Sequence, residues 1–440
     1  MTCINNRPKH ITALFIRVTL LLVTWSLLPA LIKAAPVADQ NTTERRIQQA
    51  SMLMESYADR TGLTTHRPQK RYLWTDAFAV CNYLGLARAT GEPRYDELAL
   101  MLVDQVHHTL GRHRDDDPRM GWISSLGEKA GEMHPTRGGL RIGKNLPERG
   151  PNDAFDERLE WDRDGQYFHY LSKWMHALDQ VTRATGQARF NLWARELAAT
   201  AFDAFRIPPL TNQQPPRMVW KKSIDLTRVL VPSMGKHDPL DGYITSLQLS
   251  TTAAALPQRD LGPMLQYEIA GFGHMASEGE WSTDDPLGLG GLLIDAYRLQ
   301  QLQQQGADPQ PGLVESLLDA AISGLNVFVR SGELEQPVRY RLAFRELGLA
   351  IGLHALDRMR PSADNEVQGG VSEQRLQSQL GQLMQYTELR DAIENFWRDP
   401  DHQQTNTWIE HRDINEVMLA TSLAPEGMLR LLQSGRKRHR

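Results

Sequence analysis

Two kinds of hydrophobic pattern alternate along this chain. Leu73–Gly91 (LWTDAFAVCNYLGLARATG) is apolar on nearly every side, whereas the next stretch, EPRYDELALMLVDQVHHTLGRH, has one apolar stripe and one charged face. A helix that is apolar all round has to be buried, and an amphipathic neighbour has to cover it. The alternation continues to the end of the chain. Segments of the buried type fall at about 73–90, 163–184, 242–256, 285–304, 341–357 and 413–423. Amphipathic ones fall at about 43–57, 93–111, 187–205, 259–276, 312–330 and 373–397. In the 163–184 segment Tyr167, Leu171, Trp174, Leu178 and Val181 recur at helical spacing, and Gly186 offers a C-terminal cap.

The pairing also repeats in detail. Arg88-Ala-Thr-Gly-x-x-Arg94-Tyr95-x-x-x-Ala99 returns as Arg183-Ala-Thr-Gly-x-x-Arg189-Phe190-x-x-x-Ala194, 95 residues later. Repeated helix pairs indicate a solenoid or a closed ring of hairpins. Six inner and six outer helices predict an all-α (α/α)6 toroid over residues 39–435. Long insertions interrupt the rhythm at about 112–160, rich in Gly, Pro and charge, and at about 217–233, where MVW and IDLTRVLV read as a few short strands. A third loop, Pro361–Val371, is polar and Gly-rich.

Composition narrows the class. With 41% hydrophobic and 23% charged residues the chain can bury a large core, and its net charge of -4 gives no basic field for nucleic acid. Residues 1–38 have the layout of an export signal: Arg7, Lys9 and Arg17, an apolar run over Val18–Ile32, then small residues at Ala34, Ala35 and Ala38. Lys33 and Pro36 spoil the cleavage site, so an uncleaved membrane anchor is the alternative, and the only membrane contact foreseen apart from the tail. Removing residues 1–38 takes away four basic residues and no acid, leaving 45 basic against 53 acidic. Cys3 would leave with the leader, and Cys81 would remain unpaired in an apolar helix. An exported chain without paired thiols needs no oxidative maturation. The basic 436–440 tail reads as solvated, with contact to an acidic membrane or polymer as the second reading.

Candidate chemistry gathers at the starts of the inner helices. The clusters are Trp74/Asp76, Trp161/Asp162/Asp164, Asp238/Asp241/Tyr243, Trp281/Asp284/Asp285 and Trp408/Glu410/His411/Asp413/Glu416. The remaining start is basic, with Arg339, Arg341 and Arg345 near Glu346. In a ring of antiparallel hairpins these starts converge on one mouth. Helix capping alone explains any single Asp, but not a Trp or Tyr beside nearly every cap. Aromatic faces beside carboxylates are what a sugar cleft needs: a stacking surface, acceptors for hydroxyls and paired acids for glycosyl chemistry.

Trp74-Thr-Asp76-Ala-Phe followed by Ala-Thr-Gly-Glu-Pro-Arg-Tyr-Asp-Glu-Leu-Ala resembles the W-x-D-D … TGD-x-x-Y-x-x-x-A segment of unsaturated glucuronyl and rhamnogalacturonyl hydrolases, in the six-hairpin glycosidase superfamily. Asp162-Arg163-Asp164-Gly165 is a looser match to their R-x-N-G-W turn, with Asp164 in place of Asn and no Trp after Gly165. The resemblance covers the first half of the helical core and implies a toroid with a site contribution from Asp76. It makes Asp76 and Asp164 the expected acid–base pair, facing one cavity within about 10 Å. Asp162, Asp241 and Asp285 complete the catalytic pool. Trp74, Trp161, His169, Tyr243, Trp281, Arg345 and His411 are the expected substrate contacts, with the 112–160 loop as a roof.

Other chemistries fail on residue type. Gly138-Gly-Leu-Arg-Ile-Gly143-Lys144 has phosphate-loop spacing, but Asn145 replaces the magnesium-binding hydroxyl. Gly288-Leu-Gly290-Gly291 has no preceding strand and suits close helix packing. No HExxH or CxxC occurs, and His169 and His176 lie about two turns apart, so no metal or other cofactor is expected. Asp284-Asp285 runs into Pro286 without the further acid of a prenyl-diphosphate site. The expected function is an exported (periplasmic or extracellular) glycoside hydrolase acting on a poly- or oligosaccharide. The alternatives are a polysaccharide lyase, a non-catalytic glycan-binding protein on the same scaffold, or, disfavoured by the leader, a sugar epimerase or isomerase.

Overall fold

The computed structural model describes residues 37–208, 216–257, 262–277, 279–359 and 371–432, and from Thr43 onward the chain forms one unit. The leader to residue 36, residues 361–370 of the third loop and the 436–440 tail lie outside the described residues. Helix dominates the rest. In chain order the helices are α1 (Val37–Arg60), α2 (Leu73–Thr90), α3 (Pro93–Leu110), α4 (Glu128–Met133), α5 (Glu157–Asp162), α6 (Phe168–Thr185) and α7 (Ala188–Phe205). They continue as α8 (Asp238–Ala255), α9 (Gln266–Ser277), α10 (Pro286–Gln304), α11 (Leu313–Ser331) and α12 (Ala343–Met359). The last five are α13 (Val371–Leu383), α14 (Thr387–Arg398), α15 (Asn406–Glu410), α16 (Arg412–Leu423) and α17 (Glu426–Leu429). Among the described residues no helix is long and apolar enough to cross a membrane.

The hydrophobic pattern explains which helices meet. α2 is buried continuously from Leu73 to Ala87, while α3 buries only the stripe Tyr95, Ala99, Leu102, Val103, Val106, His107 and Leu110. α2 packs on α6, α6 on α8, α8 on α10, α10 on α12, α12 on α16, and α16 on α2 again. Each of the first five also packs on the helix that follows it: α3, α7, α9, α11, and α13 with α14. Some contacts require glycine. A Cβ on Gly290 of α10 would come 2.0 Å from the Gly348 carbonyl oxygen of α12.

Two of the expected segments change. The segment expected to be helical from 163 is extended as far as Tyr167, because Asp164 accepts the Gly143 and Gly165 N–H groups (both 3.0 Å) and Gly165 adopts φ +146. Strand β1 (Gln166–Tyr167) then pairs antiparallel with β4 (Lys221–Lys222), which pairs with β5 (Val229–Val231); β2 (Arg206–Ile207) pairs with β3 (Arg217–Met218). The segment expected at 373–397 is broken by a 3-10 turn at Met384–Tyr386. The chain beyond α16 turns inward, and its backbone is bound by side chains from within the cycle. Gln180 donates to the carbonyls of Gly427 (2.8 Å) and Arg430 (2.7 Å), and Gln301 donates to that of Leu429 (2.9 Å).

Candidate functional site

A cleft of about 1090 Å³ opens where the inner helices begin. Trp74 and Thr75 reach it from α2, Trp161 and Asp162 from α5, His169 and Tyr170 from α6, Arg345 from α12 and His411 from the start of α16. A second cavity, about 330 Å³, shares Trp74, His169, Trp220, Asp285 and Leu287 with the cleft. It continues along the inner helices. His169, Lys173 and His176 line it at i, i+4 and i+7 of α6, Asp295 and Arg298 line it from α10, and Met418 and Met428 lie at its far end.

Aromatic rings run inward from the rim. The half-exposed Trp161 meets Trp220 edge-on at 5.2 Å, and Trp220 stacks on His169 at 6.0 Å. Trp220 Nε1 donates to His169 Nδ1 at 3.2 Å. An indole nitrogen is only ever a donor, so this bond places the imidazole proton on Nε2. Burial lowers the His169 pKa to about 4, which keeps the ring neutral.

The carboxylates of the inner cavity are held differently from one another. Asp238 and Asp241 stand one turn apart on α8. Lys173 Nζ binds both Asp241 oxygens, at 2.8 and 3.0 Å. Burial opposes ionisation of Asp241, but the charge and hydrogen bonds of Lys173 outweigh it and lower the pKa. Asp238 has no such partner. His169 Nδ1 is 4.0 Å from its Oδ1, and its buried Oδ2 has no hydrogen-bond partner among the described residues. Burial, then the adjacent Asp241 charge, raise the Asp238 pKa to about 7. Asp295 is raised to about 6 by burial and by Asp241, against the pull of Arg298 at 3.1 Å.

The structure brings together Trp74, Trp161, Asp162, His169, Asp285, Arg345 and His411 in the cleft, with Asp241 in the adjoining cavity. Asp285 also caps α10 by accepting from Gly288 N–H (2.9 Å), and its other oxygen pairs with Arg345. Asp76 and Asp164 line neither space. Asp76 is fully buried, accepting from Tyr57, from Arg71 at 3.3 Å and from Tyr72 N–H at 2.9 Å. Asp164 is fully buried under Arg141 (2.6 Å) and Arg114 (3.4 Å). Each carboxylate is thus taken up by a guanidinium and by backbone N–H groups of the adjoining loop, which is why the expected common cavity does not include them. Trp281 and Tyr243 are also buried outside both spaces: the Trp281 carbonyl lies 3.1 Å from His237 Nε2, and the Tyr243 hydroxyl accepts from Gln310 N–H at 2.9 Å.

Sequence reading missed Lys173, Trp220, Asp295 and Arg298, noted His176 only beside His169 as a packing or sugar contact rather than a metal ligand, and left Asp238 out of its catalytic pool. His176, Asp295 and Arg298 sit well inside helices, where a polar side chain in a buried-type segment was the one available signal. Among the described residues no group of three or more His, Cys, Asp or Glu side chains is arranged to hold a metal ion. No family model matches the chain, and no curated protein matches it.

Proposed function

We propose that the closed cycle of inner helices is an (α/α)6 toroid of the six-hairpin glycosidase type and that the protein is an exported glycoside hydrolase. The observation that carries this reading is the pair Asp238 and Asp241. They are two cavity carboxyls one turn apart, one with its pKa raised to about 7 and the other with its pKa lowered, at the inner end of an aromatic-walled cleft. Pairs whose environments drive their pKa values apart divide acid and base roles between them. Asp238, protonated, gives its proton to the glycosidic oxygen as the C–O bond breaks. Asp241, ionised, faces the positive charge that develops on the sugar ring. Water supplies the hydroxyl of the new anomeric end, and its remaining proton restores Asp238. Trp161 and Trp220 supply stacking faces for sugar rings on the way in.

The test is a screen of the purified protein against xylan, pectin, alginate and peptidoglycan strands, read by product masses. Asp238→Asn should lower kcat by a factor of about 100 to 10,000 and leave glycan binding intact. A non-catalytic glycan-binding protein is the second reading, favoured by Asp285 at the cleft wall, whose two oxygens are taken up by Arg345 and by the Gly288 N–H. That reading requires binding without products, lost in Trp161→Ala and unaffected in Asp238→Asn.

A further inference from the structure

The inner cavity ends on the chain's own C-terminal segment. Met428 closes it together with Met418, and His176 Nε2 lies 3.1 Å from the Met428 carbonyl oxygen. The segment is built into place. Gln301 uses both ends of its amide on it, donating to the Leu429 carbonyl at 2.9 Å and accepting from Leu431 N–H at 2.9 Å. On the opposite side Gly427 lies against α2 so closely that a Cβ would come 1.9 Å from the Cys81 carbonyl oxygen. Buried backbone groups need partners, and this stretch obtains them from Gln180 of α6 and Gln301 of α10. α6 enters the cleft at His169 and binds the segment at His176 and Gln180, so the cleft and the closure lie at successive turns of one helix.

We propose that residues 425–432 are a fixed floor that makes the site selective for the end of a sugar chain. This rests on the carbohydrate reading above. A chain can enter past Trp161 but cannot thread through the cycle. The portion lying beyond the cleaved bond is limited to what fits between Asp238 and the two methionines. Met418 and Met428 thereby set the length or bulk of the terminal unit. The reaction is the same hydrolysis, one glycosidic bond and one water giving two hydroxyl ends, but its product is a single short piece.

The experiment uses the full chain with reducing-end-labelled xylan, pectin, alginate and peptidoglycan strands, following product masses from the earliest time points. The expected result is one short product of constant size from the start, with the labelled chains shortening gradually. A ladder of long intermediates would overturn end selectivity and leave the hydrolase reading standing. Absence of turnover on every probe would instead overturn the hydrolase reading, and the inference with it. Met428→Ala adds a second readout: a deeper pocket should raise kcat/KM for a bulkier or longer terminal unit on the order of tenfold. An unchanged product size and preference in folded Met428→Ala and Met418→Ala proteins would overturn the role of the floor. Should either variant fail to fold, the wild-type product series still decides the proposal.

Discussion

Asp238 and Asp241 occupy one face of one helix, and their difference comes from what crosses to meet them. Lys173 reaches Asp241 from α6 and binds both its oxygens, while the neutral His169 lies 4.0 Å from Asp238, which Lys173 influences only at longer range. Two results should follow. If Asp238 is the proton donor of the proposed hydrolysis, kcat/KM should hold across mildly acidic pH and fall as pH rises through about 7, while the lowered pKa of Asp241 puts its own limb on the acid side. Asp238→Asn should lower kcat by a factor of about 100 to 10,000 with the overall structure retained. The same substitution should also remove a pH-dependent loss of stability. A carboxyl whose folded pKa is raised favours folding while protonated and loses that advantage as pH rises from its ordinary 3.8 through about 7. The melting temperature of Asp238→Asn should therefore gain on that of wild type as pH rises from about 4 to about 7, with the two running parallel above that; a constant gap from pH 5 to 9 would refute the assignment. Removing Asp76 should have the opposite effect on stability, although burial raises its pKa as well. Its carboxylate and Arg71 are both buried, so Asp76→Ala should cost about 3–5 kcal/mol of stability in urea unfolding, through the ion pair rather than through chemistry.

At the scale of elements, the helices were the legible part. Leu73–Thr90 could be read to the residue because both signals agree there: apolar positions all round, and Gly91 in the left-handed region as its cap. The start of α6 could not, because a polar Asp-Arg-Asp-Gly run gives the same signature whether it caps a helix or ties a strand into a loop. What decides is Arg141 and Gly143, more than twenty positions earlier and therefore invisible to local periodicity. The phosphate-loop-like Gly138–Lys144 stretch is explained by the same contact, since it supplies the groups that hold Asp164. The site was half legible for a related reason. Acids at helix starts are conspicuous, whereas Lys173 and Asp295 acquire meaning only once α6, α8 and α10 are side by side. The 112–160 insertion is pinned by Arg119, which binds Asp117 (2.7 Å), Glu148 (2.8 Å) and Asp225 (2.8 Å), so it behaves as a fixed wall. Arg119→Ala should speed limited proteolysis within 112–160 while leaving the helical circular dichroism unchanged. Glycine contacts set the spacing of α10 and α12, and Gly290→Ala, driving a methyl into the Gly348 carbonyl, should cost about 1–3 kcal/mol by urea unfolding.

For the molecule as a whole, stability depends on joining the first helices to the last. Arg46 of α1 donates to Glu394 of α14 (2.8 Å), which also meets His354 (2.9 Å) and Ser422 (2.7 Å); Arg60 binds Asp413 and Glu416, both at 2.7 Å. Burial works against the Glu394 charge, but His354 and Arg46 prevail and lower its pKa to about 2. A depressed folded pKa stabilises above the unfolded value, 4.5, and the contribution disappears as pH falls from there to about 2. Glu394→Gln should therefore be less stable than wild type at neutral pH, with the difference vanishing by pH 2 in acid-unfolding curves. The closing contact between Asn82 of α2 and the Val417 carbonyl of α16 spans 335 residues. At ribosomal speed that interval lasts on the order of tens of seconds, during which α2, apolar on nearly every side, has been made and the helix that completes its burial has not. A nascent chain of this design is most exposed to aggregation while its first third is made and its last inner helix is not.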